Sequence, residues 1–446
     1  MTTSAPDTRS NAYWMPFTPN RYFETHPKVL VSAKGAYYQT AEGRTLFDSL
    51  SGLWCSPLGH GHPKIAEAFA KQSQILDFAP SFQLGNPQAY ALAERVTAMA
   101  PGALDHVFFV NSGSEAVDTA IKIAIAYHRA RGQGQRFRVI GRERGYHGVG
   151  IAGISVGGMV ANRKTFAPNM MNGDDHLRHP WDPSQMAFSK GQPSWGAHLA
   201  DDLERLVALH DASTIAAVIV EPVQGSTGVL VPPQGYLQKL REICTKHGIL
   251  LIFDEVITGF GRLGKTFAAQ AFDVQPDMLT FAKAITSGTI PLGGVLVDAK
   301  VRDAVVNVDS MPHVPEFLHG YTYSGHPMAC AVAMATLNVY SEEGLFQRSA
   351  ELAPVFEAAV HSLRDEPGVT DIRNCGLMAA VELEPVPGKP GLRAFRVFEH
   401  GYSHGTLFRA AGDAISLAPP FISTPDEIGR MAESLRTAIR AARQDH

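Results

Sequence analysis

Two charged residues stand where long apolar runs stop. Asp254 closes the run LLIFD at 250–254, and Lys283 follows MLTFA at 278–282. A carboxylate at the end of a buried strand is costly unless it is paired or hydrogen-bonded. It reads either as half of a structural ion pair with an Arg or Lys, or as the partner of a cationic ring nitrogen. A buried lysine loses basicity on desolvation, and a lysine of lowered pKa is a Schiff-base former. The plainer reading is a lysine lying along the strand end with its ammonium in water. A third feature is Ser112-Gly113-Ser114, between the apolar run VFFV and a helical pattern reaching about Ala130. Free N–H groups of a helix N-terminus plus two hydroxyls make an anion cup, unless the Ser or Asn there only caps the helix.

These residues have to be positioned by a scaffold. Short apolar runs recur at 107–110, 138–141, 214–222, 248–256, 278–283 and 293–297, separated by amphipathic helical stretches. Apolar runs of that length alternating with helices argue for an α/β fold: a mostly parallel central sheet flanked by helices. Ligands in such sheets sit at the carboxyl ends of the strands. The runs are followed there by NSGSEA, Arg142-Glu-Arg-Gly-Tyr-His-Gly, Glu221-Pro-Val-Gln-Gly, Asp254-Glu-Val and Ala282-Lys283. An anion cup, a buried acid and a buried amine on one edge fit pyridoxal 5′-phosphate. That molecule carries a phosphate, a ring nitrogen that takes an acid partner and an aldehyde that takes a lysine. Tyr146, in GYHG, adds an aromatic face for the ring.

One motif points elsewhere. Gly259–Thr266, GFGRLGKT, matches the phosphate-loop pattern of nucleotide hydrolases. A working phosphate loop follows its own strand and opens a helix, while the acid that reaches the metal lies on a different strand. Here Asp254 precedes the loop on the same strand, and Pro276 follows too soon for a long helix. Gly259–Thr266 therefore reads as a Gly-rich surface loop.

The chain as a whole sets outer bounds. It has 446 residues, 45% hydrophobic and 18% charged, with a net charge of −4. That composition gives a globular protein with a large core, and the length favours two or three domains. With no basic block, no nucleic-acid partner is expected. The start, MTTSAPDTRSNAYWMPF, lacks an apolar leader segment. No apolar run approaches the roughly 18–20 residues that span a bilayer, so no membrane is expected. Cys55, Cys244, Cys330 and Cys375 are widely spaced and read as reduced thiols of a cytoplasmic protein. The two histidines of GHGHP at 59–63 read as a turn, and no metal is expected.

The segments WMPFTPNR, LFDSLSGLWC, FFVNSGSEAVDTAIKIA, GRERGYHG, VIVEPVQGS, LLIFDEVITGFGR, FAKAITSG, HGYTYSGHPMAC and GTLFRAAGDAISLAPPF together resemble the class III aminotransferases. These are fold-type-I pyridoxal-phosphate enzymes. Within them the chain is most similar to the ω-amino acid:pyruvate (β-alanine:pyruvate) group. The resemblance runs from about Tyr13 to the last helix, and GFGRLGKT continues one of its motifs.

The resemblance implies roles for particular residues. Lys283 would bond the cofactor aldehyde, and Asp254 would hold the ring nitrogen. Val256 and Tyr146 would lie on the two ring faces, with His147 beside Tyr146. Ser112, Gly113 and Ser114 would bind the phosphate, joined by Thr322 from the other subunit of a homodimer or dimer of dimers. Glu221 and Gln224 would stand near the ring, Gln224 by its hydroxyl. Phe17, Trp54, Phe82, Tyr146, Ser226 and Ser416 would line the substrate pocket, Phe82 from the neighbouring subunit. Arg409, in a short loop, would clamp the substrate carboxylate and pair with Glu221 when none is bound. A domain of residues 66–330 would hold the sheet and cofactor, and a smaller α+β domain would combine 1–65 with 331–446. The implied reaction moves an amino group from an ω-amino acid or primary amine to pyruvate, giving alanine. The alternatives are a diaminopelargonate-type aminotransferase, an aminomutase or decarboxylase, and a non-catalytic pyridoxal-phosphate-binding protein.

Overall fold

The computed structural model describes residues 12–444. The opening residues 1–11, part of the stretch read above as lacking a leader, lie outside the described residues. A seven-stranded sheet is assembled in the order 106–110, 293–297, 278–281, 250–254, 215–220, 138–142, 175–177. Ile215–Val220 and Leu250–Asp254 are buried along their whole length, as strands covered on both faces must be. Alternate side chains show the two faces. Leu250 and Ile252 join one apolar cluster with Val117, Ile121 and Ala124 of the helix Gly113–Ala130. Leu251 and Phe253 join another with Leu237 and Leu240 of the helix Tyr236–His247.

The sheet is mostly parallel, as expected, with one reversal. Gly293–Val297 runs antiparallel to both Met278–Phe281 and His106–Val110. The reversal leaves His106–Val110 pointing the same way as the parallel strands, so its carboxyl end stays on the shared edge. Asp175–Leu177 extends the sheet by a parallel pairing with Arg138–Arg142. Its sequence, DHL, has no apolar run, and nothing in the sequence marks it as a strand.

Two four-stranded sheets complete the framework. One joins 30–34, 37–40 and 45–48 to Thr406–Leu407, which pairs in parallel with Thr45–Asp48. The other holds 369–375, 378–383, 414–417 and 409–411. The boundaries expected at 65/66 and 330/331 both fall inside helices, Pro63–Ser73 and Pro327–Glu342, which pack on each other. Pro63 and Pro327 stand in the first turns of these helices, where a missing N–H costs nothing.

The expected surface loop at Gly259–Thr266 is a correction. Phe260 and Arg262 are each only 1% exposed. Arg262 donates to the Pro419 carbonyl at 2.9 Å and to Ser51 Oγ at 3.2 Å, with its guanidinium 4.7 Å from the Phe421 ring. Glu255 accepts from the N–H groups of Ala268 and Ala269 at 2.5 and 2.8 Å, holding the segment from behind. Glycine and charge mark a turn but not its exposure, which depends on partners more than a hundred residues away. The segment opens only the four-residue helix Ala268–Ala271, so it is not a phosphate loop. Among the described residues no helix is long and apolar enough to cross a membrane, and all four cysteines are free thiols.

Candidate active site

The carboxyl edge of the large sheet opens into a cavity of about 150 Å³ whose walls include Gly113, Ser114, Tyr146, His147, Glu221, Asp254, Val256 and Lys283. They come from the segments that follow five strands, Asp254 being the last residue of its own. Ser112 is the N-cap of Gly113–Ala130: its Oγ accepts from Glu115 N at 3.2 Å. Glu115 Oε2 accepts in turn from Asn111 N at 2.6 Å, a reciprocal capping arrangement that fixes where the helix begins. Ser112 thus plays the capping role weighed for it and is not part of the cavity wall; Gly113 and Ser114 are. A Cβ on Gly113 would lie 2.9 Å from Val256 Cγ1, and one on Gly148 would lie 2.4 Å from Ser114 Oγ. Glycine at both positions lets the backbone close around the helix N-terminus.

Asp254 has partners other than an Arg or Lys. The Nδ1–H of His147 donates to its Oδ2 at 2.7 Å, with both side chains buried. Thr280 Oγ1 and the Val256 N–H donate to Oδ1 at 3.1 and 3.2 Å. Thr280 stands opposite Asp254 in the sheet register, a polar residue inside an apolar run that the sequence reading passed over. His147 Nε2 is buried without a partner. Glu221 is buried, and burial pushes its pKa up to about 7, opposed by nearby His147. Its Oε1 accepts from Tyr146 N at 2.9 Å. Lys283 opens the 3-10 turn Lys283–Thr286. Burial lowers its pKa, while Cys55, Asp254 and Glu221 act in the other direction. The effect is a lysine with more of the free amine than an exposed one has.

A second cavity of about 860 Å³ shares Tyr146 and Lys283 with the first. Phe17, Trp54, Ser226, Arg409 and Ser416 are in its wall, together with Arg144, which the sequence reading quoted in GRERGYHG but did not single out. Arg409 is not in a loop. It begins the short strand Arg409–Ala411 and pairs across the ladder with Ser416. Three residues were too few to show a strand period in the sequence. Phe17, Trp54, Arg144 and Lys283 all hold positive φ, at 48, 65, 62 and 49°. Each such backbone costs on the order of 1–3 kcal/mol and survives only where surroundings impose it.

Two expected placements differ. Among the described residues no ion pair joins Glu221 to Arg409: Glu221 lines the smaller cavity, where its Oε1 accepts from the Tyr146 N–H, and Arg409 lines the larger one. Gln224 is fully buried but outside both cavity walls, with Nε2 donating to the Glu143 carbonyl at 2.9 Å. Phe82 and Thr322 are exposed and touch neither cavity of this chain. They belong to one surface region instead, where Phe82 lies against Gly320 and Phe78 packs on Tyr323.

Comparison with known proteins identifies the scaffold. The family model described as Aminotransferase class-III matches residues 19–439. The Omega-aminotransferase of Caulobacter vibrioides is 55% identical, over 97% of this chain and 99% of its own length. The Beta-alanine--pyruvate aminotransferase of Pseudomonas aeruginosa is 48% identical, over 96% of this chain and 95% of its own. The solved omega transaminase of Pseudomonas jessenii in complex with PMP superposes with a TM-score of 0.93 at 32% identity, covering 99% of both chains.

Proposed function

The chain belongs to the class III aminotransferases and is an aminotransferase; we propose that it moves the amino group of an ω-amino acid such as β-alanine, or of a primary amine, to pyruvate, giving alanine. The observation that carries this reading is the joining of two cavities through Lys283 and Tyr146, one acidic and amide-lined, the other holding Arg409. The family implies pyridoxal phosphate, and the residues fit it. An anion would meet the helix N-terminus at Gly113–Ser114, a ring nitrogen would meet Asp254, and an aldehyde would meet Lys283.

When bound, pyridoxal phosphate supplies a carbon that bonds amines and a ring that takes up the electrons of the substrate Cα–H bond. Lys283 Nζ would hold that carbon. Its free amine would move the substrate Cα proton, as base and then acid. Asp254, held in orientation by His147 and Thr280, would keep the ring nitrogen protonated. Val256 and Tyr146 would confine the ring, and Arg409 would receive the carboxylate of pyruvate bidentately. Donor and acceptor use one cavity in turn, so the kinetics are ping-pong.

We further infer a homodimer or dimer of dimers in the cytoplasm, in which Thr322 and Phe82 complete the neighbouring subunit's site. Their distance from this chain's own cavities supports it, and the four free thiols support a reducing compartment. The direct test is the visible spectrum of the purified protein with cofactor. The yellow colour should bleach with β-alanine and return with pyruvate. Bleaching by S-adenosylmethionine alone would reassign the donor, and no coloured adduct at all would overturn the reading of Lys283.

A further inference from the structure

The larger cavity carries more positive charge than this reaction uses. Among the described residues its charged groups are Arg144, Lys283 and Arg409, with no Asp or Glu in the wall. Pyruvate and β-alanine each bring one carboxylate, which Arg409 satisfies. Arg144 is left over. Its guanidinium lies 5.7 Å from the Trp181 ring, and one N–H donates to the Thr227 carbonyl at 3.2 Å. Arg373 lies 4.9 Å from the same ring but is matched by Asp371 and Glu382. Arg144 makes no salt bridge among the described residues; the nearby carboxylate of Glu382 acts on it only at longer range and is engaged by Arg373. A guanidinium has five N–H donors in a fork that fits a carboxylate, and most of these are unassigned. Thr227, also in the cavity wall, has its Oγ1 buried without a partner. The half-buried guanidinium has donors free to take a carboxylate in place of water, and the Thr227 hydroxyl beside it gains a partner if that ligand seats against it. The strained backbone of Arg144, at φ 62°, presents the side chain to this wall.

We propose that Arg144 and Thr227 form a second anion subsite, so that the cavity takes substrates with two carboxylates, one on Arg409 and one on Arg144. This rests on the aminotransferase reading and narrows its substrate class to include amino dicarboxylates and the matching dicarboxylic carbonyl acceptors.

The test is calorimetric binding to the cofactor-loaded protein of unreactive dicarboxylates from succinate to pimelate, each against the monocarboxylate of equal chain length. At least one dicarboxylate should bind about tenfold or more tightly than its monocarboxylate, a difference of about 1.4 kcal/mol. Arg144→Gln should erase that advantage while weakening the monocarboxylate far less, and Arg144→Lys should keep part of it. Thr227→Val should reduce it about threefold or more, which decides the matter if the arginine variant does not fold. No advantage at any length, or an advantage that survives Arg144→Gln, overturns the subsite. If pyruvate-dependent turnover is intact while the advantage is absent, only this inference fails. If the native protein turns over no amine with pyruvate, the reaction assigned above fails instead.

Discussion

Glu221 and Glu255 are buried carboxyls whose pKa values burial pushes up to about 7, from an ordinary value of 4.5. Each binds its proton more tightly in the folded state. Between 4.5 and about 7 the native state therefore holds more protons than the unfolded chain. This contribution to stability is complete below that window and is lost as pH rises through it. Gln at 221 can still accept from the Tyr146 N–H. Glu221→Gln should therefore flatten the fall of Tm between about pH 5 and about pH 8, with the two proteins converging at the acid end. Identical slopes in calorimetric scans would show that Glu221 does not titrate there. At Lys283 the expectation is sharper. Lys283→Ala removes the amine that holds the carbonyl and moves the proton, so alanine formation from pyruvate should drop by about 10⁴-fold or more. Appreciable turnover would refute the assignment.

At the scale of elements, the N-terminal segment is part of the larger cavity and is held from behind. Tyr13, Met15 and Phe17 line the cavity just before the short helix Asn20–Phe23. Lys28 Nζ then sits among four rings, 5.8 Å from Tyr22, 5.1 Å from Phe23, 5.7 Å from Phe398 and 4.9 Å from Tyr402, and pairs with Glu399 at 2.9 Å. Cation–π and ion-pair contacts of this kind contribute roughly 1–2 kcal/mol together. Lys28→Ala should lower Tm by a few degrees. It should raise KM several-fold for both substrates while leaving kcat nearly constant, because the segment shapes the cavity and does no chemistry. A fall in kcat with unchanged KM would contradict that division. The helix start at Gly113 was visible in the sequence because a Ser-Gly-Ser turn follows the apolar run VFFV and a helical pattern begins after it. The burial of Gly259–Arg262 was not, because Pro419, Ser51 and Phe421 hold Arg262 from elsewhere in the chain.

For the molecule as a whole, the question is whether sites are shared. Thr322 lies outside both cavities of its own chain. If it serves the neighbouring site, co-expressing Lys283→Ala with Thr322→Glu gives mixed dimers with one intact site and one doubly damaged site. Each parent should be inactive, the second because an added carboxylate repels a phosphate. Mixed dimers isolated with two tags should regain up to about half the native activity. If every site were built within one chain, both sites would stay damaged and no activity would return. A fully active Thr322→Glu parent would also overturn the shared arrangement.

Local signals in the sequence reached the buried strands of the sheet and its reactive edge, though not the edge strand Asp175–Leu177 or the reversal of Gly293–Val297. Apolar runs of strand length and polar residues directly after them are local signals, and local periodicity survives without knowledge of distant partners. Asp254, Lys283, Tyr146 and Gly113–Ser114 were legible for that reason. Tertiary structure alone decided who pairs with whom. His147 and Thr280 hold Asp254, Tyr146 N takes up Glu221 that was expected to meet Arg409, and Arg144 is left unpaired in the cavity wall. Such pairings depend on sheet order and on contacts between residues far apart in the chain, where a few ångströms separate an ion pair from an open binding site.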